Sequence, residues 1–302
     1  MKESKTLKEI TEEWLQNKKG SIKESTYYRY VYVINQYIIP YFKDINMQEL
    51  ENYDFNIFIE ELKKGLKPAT IKSIVRIMKE ILKYSKKKYE YIFNLDFYDI
   101  SEDEKKQIHL LTKREKDKLE KYCMKNNSLR HIGIIMCLNT GLKIGEICAL
   151  KWNCIDFDSK CIKVKKTMQR IYNQEENKSI IKIDEPNPKT LIRSIPISNK
   201  LYEILKPLKN LYSDNSFFLT GSETKFIEPR NYQKMLKKCL DDCKIEDYHF
   251  QNLRYQFANE CINVGMDVIT LIDILGNNEI PKYLEKFLKS SYNIKRNYLE
   301  RL

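Results

Sequence analysis

Residues 139–158 read NTGLKIGEICALKWNCIDFD. Just upstream, SLRHIGIIMCLNTG is an apolar helical run that stops at Gly141, a residue able to take the left-handed conformation that closes helices. IGEICALKW then forms a short helix. CIDFD and CIKVKK follow as strands around the turn Asp158-Ser159-Lys160. The polar stretch MQRIYNQEENKSIIKIDEPNPK reads as a long hairpin connection to a further strand, LIRSIPI. Upstream of all this, TKREKDKLEKYCMKN is a helix capped by Thr112. Downstream, LYEILKPLKNLY, NYQKMLKKCLDDC, QNLRYQFANECINVG, VITLIDILG and PKYLEKFLKSSY carry helical periodicity. The C-terminal two thirds are therefore expected to be mainly α with a small antiparallel β-sheet.

The first 88 residues read as four helices: TLKEITEEWLQNKK, ESTYYRYVYVINQYIIPYF, MQELENYDFNIFIEELKKG closed by Gly65, and the segment after Pro68. Between these and Leu111 the helical period fades and the chain turns polar and acidic. The expected organisation is a helical domain over 1–90, a linker over 91–110 and a second domain over 111–302.

The chain has 302 residues, 42% apolar and 32% charged, which describes a folded protein with no disordered bias. No stretch approaches the ~20 continuous apolar residues of a membrane span, and MKESKTLKEITEEW lacks the apolar core of a secretory leader. A cytoplasmic protein with reduced thiols is expected. The eight cysteines form no C-x-x-C pair and only three histidines accompany them, so no metal or other cofactor is expected.

Net charge is +12, which suits a polyanionic partner when the charge is concentrated. Residues 62–88 concentrate it, with ten Lys or Arg and the single acid Glu80. In ATIKSIVRIMKEILKYSKKK, Ile71, Ile74, Val75, Met78, Ile81 and Leu82 mark one helix face. Lys72, Arg76, Lys79, Lys83 and Lys86 recur at steps of 4, 3, 4 and 3 and mark another, expected to contact nucleic-acid phosphates. Such lysines supply affinity and register, not sequence choice.

Residues 139–158 resemble the first conserved box of the tyrosine recombinases, the phage integrase family. PKTLIRSIPI (Pro188–Ile197) resembles that family's β-hairpin, and FQNLRYQFANECINVGMDVITLIDILGN (Phe250–Asn277) resembles its second box. Residues 1–88 resemble its helical core-binding domain. The boxes occur in the family's order and span nearly the whole chain. This resemblance implies a SAM-like core-binding domain joined to an integrase-like catalytic domain of the DNA breaking-rejoining fold, clamped on double-stranded DNA. In active members a tyrosine attacks the scissile phosphate. Two arginines, a lysine and two His or His/Trp positions assist it, and no metal is used. Guanidinium forks hold phosphoryl oxygens, proton donors serve the leaving hydroxyl and the phenol is the nucleophile.

Carried over position by position, the resemblance places the first arginine at Lys143, with Glu146 retained in support. The hairpin lysine corresponds to Lys189, with Lys182 as a rival. H-x-L-R becomes Gln251-Asn252-Leu253-Arg254, keeping the arginine as Arg254 and losing the histidine to Gln251; His249 lies two residues too early. LGH becomes Leu275-Gly276-Asn277. The nucleophile's spacing falls on Lys286 or Phe287, and Phe287 is the better match. Tyr283 and Tyr292 flank it as fallback nucleophiles, one about a turn early and the other more than a turn late.

Only Arg254 and Lys189 of the six keep the family's residue. The expected function is DNA binding associated with recombination or integration, with strand cleavage impaired or lost and an accessory or regulatory role. The alternative is an active site-specific recombinase using Tyr283 or Tyr292. Expected partners are duplex DNA and either further copies of the chain or an active recombinase.

Overall fold

The computed structural model describes residues 5–97, 108–173, 178–186, 191–277, 279–281, 284 and 299–300. A reciprocal cap opens the first helix, α1 (Leu7–Lys18). The Thr6 hydroxyl accepts the Glu9 N–H at 3.2 Å while the Glu9 carboxylate accepts the Thr6 N–H at 2.8 Å. Next, α2 (Glu24–Val33) runs through a π-helical turn at Ile34–Ile38 into α3 (Ile39–Phe42). Pro40 explains the widening: it has no N–H for the carbonyl four residues back, and its ring crowds that carbonyl.

The third expected helix is two. α4 (Met47–Glu51) and α5 (Phe55–Lys63) are separated because the Asp54 carboxylate accepts the Asn56 N–H at 2.9 Å and starts a new helix there. The basic segment is α6 (Pro68–Tyr89), with proline in its first turn and Glu90 left-handed at its end, φ +59°. Its apolar face packs on Leu7, Ile10, Trp14, Ile38 and Phe58 in one core.

That core also takes in Tyr91, Phe93 and Phe97, the last stacked on Phe55 at 4.5 Å. On the far side of residues 98–107, Leu111 N–H donates to Gln256 Oε1 and His109 O accepts from Asn252 Nδ2. The stretch expected as a linker over 91–110 is thus structured at both of its described ends. Tyr91, Phe93 and Phe97 are core, and the polarity of the stretch hid that.

The chain divides into two compact units, Met1–Lys106 with Ile171–Ile180, and Gln107–Arg170 with Ile181–Leu302. In the second, α7 (Lys113–Asn126) opens on a Thr112–Glu115 reciprocal cap. α8 (Leu129–Thr140) is buried on nearly every face and ends at Gly141, φ +64°. Then come α9 (Ile144–Ala149), β1 (Ile155–Asp156), β2 (Cys161–Val164), β3 (Thr167–Asn173), β4 (Lys178–Asp184), β5 (Arg193–Pro196), α10 (Asn199–Leu205), α11 (Pro229–Asp242), α12 (Phe250–Asn263) and α13 (Val268–Leu275), the part of β3 and β4 within Ile171–Ile180 being counted with the first unit.

An antiparallel sheet runs in the order β1-β2-β5, with Ile162 opposite both Ile155 and Ile195 so that the apolar side chains share one face. The polar stretch read as a connection contains β3 and β4, which pair as a separate two-stranded sheet. The expected helix PKYLEKFLKSSY lies almost wholly outside the described residues. All eight cysteines are free thiols. Among the described residues no helix is long and apolar enough to cross a membrane.

Candidate functional site

The end of α13 gathers the site. Gly276 takes φ +59° and closes the helix, leaving the last carbonyls without intrahelical donors. Three cationic side chains from three elements supply them. Arg193 Nε on β5 donates to Ile274 O at 2.6 Å, Arg254 Nη2 on α12 to Leu275 O at 2.6 Å, and Lys143 Nζ before α9 to Gly276 O at 2.9 Å. Each positive charge also meets the negative end of the helix dipole.

Arg254 is 2% exposed; it further donates to Gly141 O at 2.7 Å and to Asn277 Oδ1 at 3.1 Å. It therefore bridges the ends of α8 and α13. Arg193 holds Glu146 through two parallel bonds of 2.9 Å, with both side chains 4% exposed. This is the fork geometry that makes arginine and carboxylate a strong pair. Lys143, 37% exposed, is the open cation of the three, and its ammonium lies 3.9 Å from Glu146. Asn277 Nδ2 is buried and has no acceptor among the described residues.

Burial pushes the Glu146 carboxyl up, but the Arg193 hydrogen bonds and charge, the Lys143 N–H and the Lys143 ammonium outweigh it and hold the group below its ordinary value. The sign follows. A carboxylate with a depressed folded-state pKa adds stability above its unfolded pKa and loses it as pH falls through the folded value. Urea denaturation of wild type should therefore weaken from pH 5 to pH 3 more than that of Glu146→Leu/Arg193→Met; equal losses in the two proteins would remove Glu146 as a cause.

Lys143, Glu146, Arg254 and Asn277, singled out in the sequence, thus come together. Gln251 is exposed in the first turn of α12, away from the buried Arg254 contacts, and His249 is exposed at that helix's cap. Lys182 pairs with Asp184 at 3.6 Å. Lys189, Tyr283, Phe287 and Tyr292 lie outside the described residues. Arg193 was missed. Its signal was a charged residue in phase with Ile195 and Ile197 on the inward face of its strand.

On α6, Lys72, Arg76, Lys83 and Lys86 are exposed, while Lys79 is half-buried with its ammonium 4.8 Å from the Phe97 ring centre. At 100° per residue the five fall within an arc of about 80° over about 21 Å of helix. Glu80, the acid among them, faces Lys18 at 3.4 Å. The exposed stripe is therefore uniformly positive. No group of three or more potential metal-ligating side chains occurs among the described residues.

A sequence model described as the phage integrase family matches residues 98–285, and one for the phage integrase N-terminal SAM-like domain matches residues 6–54. The chain belongs to the phage integrase family. Among relatives of this integrase-family chain, a XerC-like tyrosine recombinase of Caldanaerobacter subterraneus subsp. tengcongensis is 26% identical over 183 residues, covering 55% of this chain and 46% of the relative. The transposase from transposon Tn916 of Enterococcus faecalis is 22% identical over 70% of this chain and 55% of its own length. The chain thus spans about half the length of these two. The ICEBs1 integrase of Bacillus subtilis is 22% identical over 88% and 74% of the respective chains.

Among solved structures, the Tn1549 transposon integrase in complex with a circular intermediate DNA superposes with a TM-score of 0.78 at 21% identity, covering 99% of this chain and 100% of that one. A lambda integrase dimer bound to a COC′ core site gives 0.66 at 14% identity, covering 95% and 78%. The integrase fold is shared: mainly helical, with a SAM-like N-terminal domain, a catalytic-type domain and a small antiparallel sheet.

Proposed function

We propose that this chain is a duplex-DNA-binding member of the phage integrase family whose centre holds a backbone phosphate without cleaving it. The observation that carries the reading is the corner at Gly276. There the half-exposed Lys143 ammonium accompanies the fixed guanidinium of Arg254 and the Asn277 amide, whose Nδ2 has no acceptor among the described residues. A phosphodiester offers oxygen acceptors to the half-exposed Lys143 ammonium. The stripe Lys72, Arg76, Lys83 and Lys86, with Lys79 behind it, supplies phosphate contacts elsewhere along a duplex.

Cleavage asks for more. Lysine at 143 keeps the charge but lacks the planar fork that follows a phosphoryl group into its transition state. Asn277 and Gln251 donate hydrogen bonds yet have no titratable proton for a leaving hydroxyl. At Phe287, where the family's spacing puts its nucleophile, there is no hydroxyl. The Tn1549 integrase was solved on circular intermediate DNA as an Arg-to-Lys variant and on transposon end DNA as a Tyr-to-Phe variant. A DNA complex of this fold thus survives exchanges of both kinds.

In this reading the chain acts as an accessory or competing subunit. The lambda integrase neighbours are a dimer and a tetramer on DNA. The present chain is proposed to assemble likewise, with its own copies or beside an active recombinase.

A nicked suicide duplex carrying the target site tests this. The protein should retain the duplex in a complex that weakens with salt, with a log–log slope reduced by about 0.9 for each of Lys72, Arg76, Lys83 and Lys86 changed to Gln. No adduct should survive denaturant. An adduct abolished by Tyr283→Phe or Tyr292→Phe would overturn the loss of cleavage and establish the alternative.

A further inference from the structure

We infer that the second unit carries a pocket for a nucleoside polyphosphate, set in the gap where β1 stops pairing with β2. The inference is independent of the proposed DNA binding. β1 meets β2 at Ile155↔Ile162 and Asp156↔Cys161, whereas β2 runs on to Val164 against β5. Where a longer β1 would lie, Trp152–Cys154 curl into a 3-10 helical turn. That turn is tied to the segment behind it: Trp152 N–H donates to Ser216 O at 3.1 Å and Asn153 N–H to Asp214 O at 2.8 Å. Between the turn, the end of α9 and Lys163–Lys166 lies a cavity of about 450 Å³. Small-molecule sites span ~300–1,000 Å³.

The lining divides by chemistry. Leu142, Ala149, Leu150 and Val164 are all buried and supply an apolar floor. Lys151, Lys165 and Lys166 stand around it and make no ion pair among the described residues. A fourth lysine, Lys163, is neutralised by Asp156 at 2.9 Å. Glu146, the one acid among the lining residues, is held by the Arg193 fork. Three uncompensated ammoniums beside one cavity repel one another, and a chain of phosphates relieves all three together.

The side-chain amides of Asn153 and Asn215, joined at 3.3 Å, add donors and acceptors of the kind that pair with a base edge. Floor, amides and cations thus match the ring, the polar edge and the phosphates of one nucleotide. Lys143, Arg254 and Asn277 do not line the cavity, which is therefore separate from the Gly276 corner.

Energy transfer from Trp152, the chain neighbour of Lys151 and Asn153, to N-methylanthraniloyl-ATP tests this in a Trp14→Phe background. Divalent cations are left out so that the phosphates keep their full charge. Transfer should saturate and be reversed by unlabelled ATP, with tripolyphosphate competing about tenfold more weakly and adenosine more weakly still. Lys151→Gln/Lys165→Gln/Lys166→Gln should weaken binding by about tenfold or more, since even one hydrogen bond between charged groups is worth about that factor. The same three lysines changed to Arg should stay within about threefold of the parent. Should the Gln variant lose its urea midpoint, the Arg variant and the competition series decide. Absence of saturable transfer would overturn the inference, as would a folded Gln variant that binds like its parent or an Arg variant as weak as the Gln one. So would tripolyphosphate or adenosine matching ATP, since one marks a plain anion site and the other a merely apolar one. A loss of duplex affinity in the Gln variant as large as its loss for ATP would also overturn it, by making the lysines DNA contacts. A protein that takes up ATP as expected but binds no duplex would leave this inference standing and remove the proposed function.

Discussion

Arg193→Met is expected to destabilise the second unit by about 3–5 kcal/mol, because it strands the Glu146 carboxylate in a site 4% exposed with the Lys143 N–H and the more distant Lys143 ammonium left to hold it. Ile274 O loses its donor in the same step. The pair as a whole is worth less than breaking it suggests, since both ions were desolvated to form it. Glu146→Leu/Arg193→Met should therefore recover more than half of the loss. The two tryptophans allow a clean reading: Trp14 belongs to the first core and Trp152 to the second, so in a Trp14→Phe background fluorescence reports the second unit alone. A single variant within 1 kcal/mol of its parent in urea denaturation would mean that the fork is not structural. A double variant as weak as the single one would assign the loss to packing instead of stranded charge.

Gly276→Ala should cost about 2–4 kcal/mol through two separable effects. The left-handed backbone, φ +59°, penalises a Cβ by about 1–2 kcal/mol. That Cβ would also stand 2.5 Å from Arg193 Nη1, 2.7 Å from Cζ and 2.9 Å from Nε, so the guanidinium must leave Glu146 or the helix end must shift. Flexible side-chain tips yield easily, but this one is fixed by four hydrogen bonds. A double-mutant cycle isolates the second effect: in an Arg193→Met background only the backbone penalty should remain. Simple additivity of the two substitutions would show that Gly276 and Arg193 act independently.

Much of this architecture was readable from spacing. The two faces of α6 follow from steps of three and four residues, Thr112 and Gly141 announce helix limits through their cap chemistry, and the ordered boxes located Lys143, Glu146, Arg254 and Asn277. Periodicity failed where local chemistry overrides it. Asp54 starts a helix in the middle of an apparently continuous one, and Pro40 widens a helix without ending it. Tyr91, Phe93 and Phe97 are buried in a segment whose composition is polar. Arg193 escaped for a different reason: its partners lie 47 and 81 residues away, and no window over LIRSIPI contains them. Only an inward-facing charge on an apolar strand face hinted that such a partner exists.

The clasp on the last turn of α13 also sets an order on biosynthesis. Its cations stand at 143, 193 and 254, while the carbonyls they hold stand at 274, 275 and 276. Until the polypeptide has grown past those carbonyls, the emerging chain cannot close this corner, and Arg254 lacks the Leu275 and Asn277 oxygens that accept from it. Maturation of the second unit therefore waits on one late stretch. Chain terminated before residue 274 should be left to chaperones and proteases, whatever the quality of the core already made.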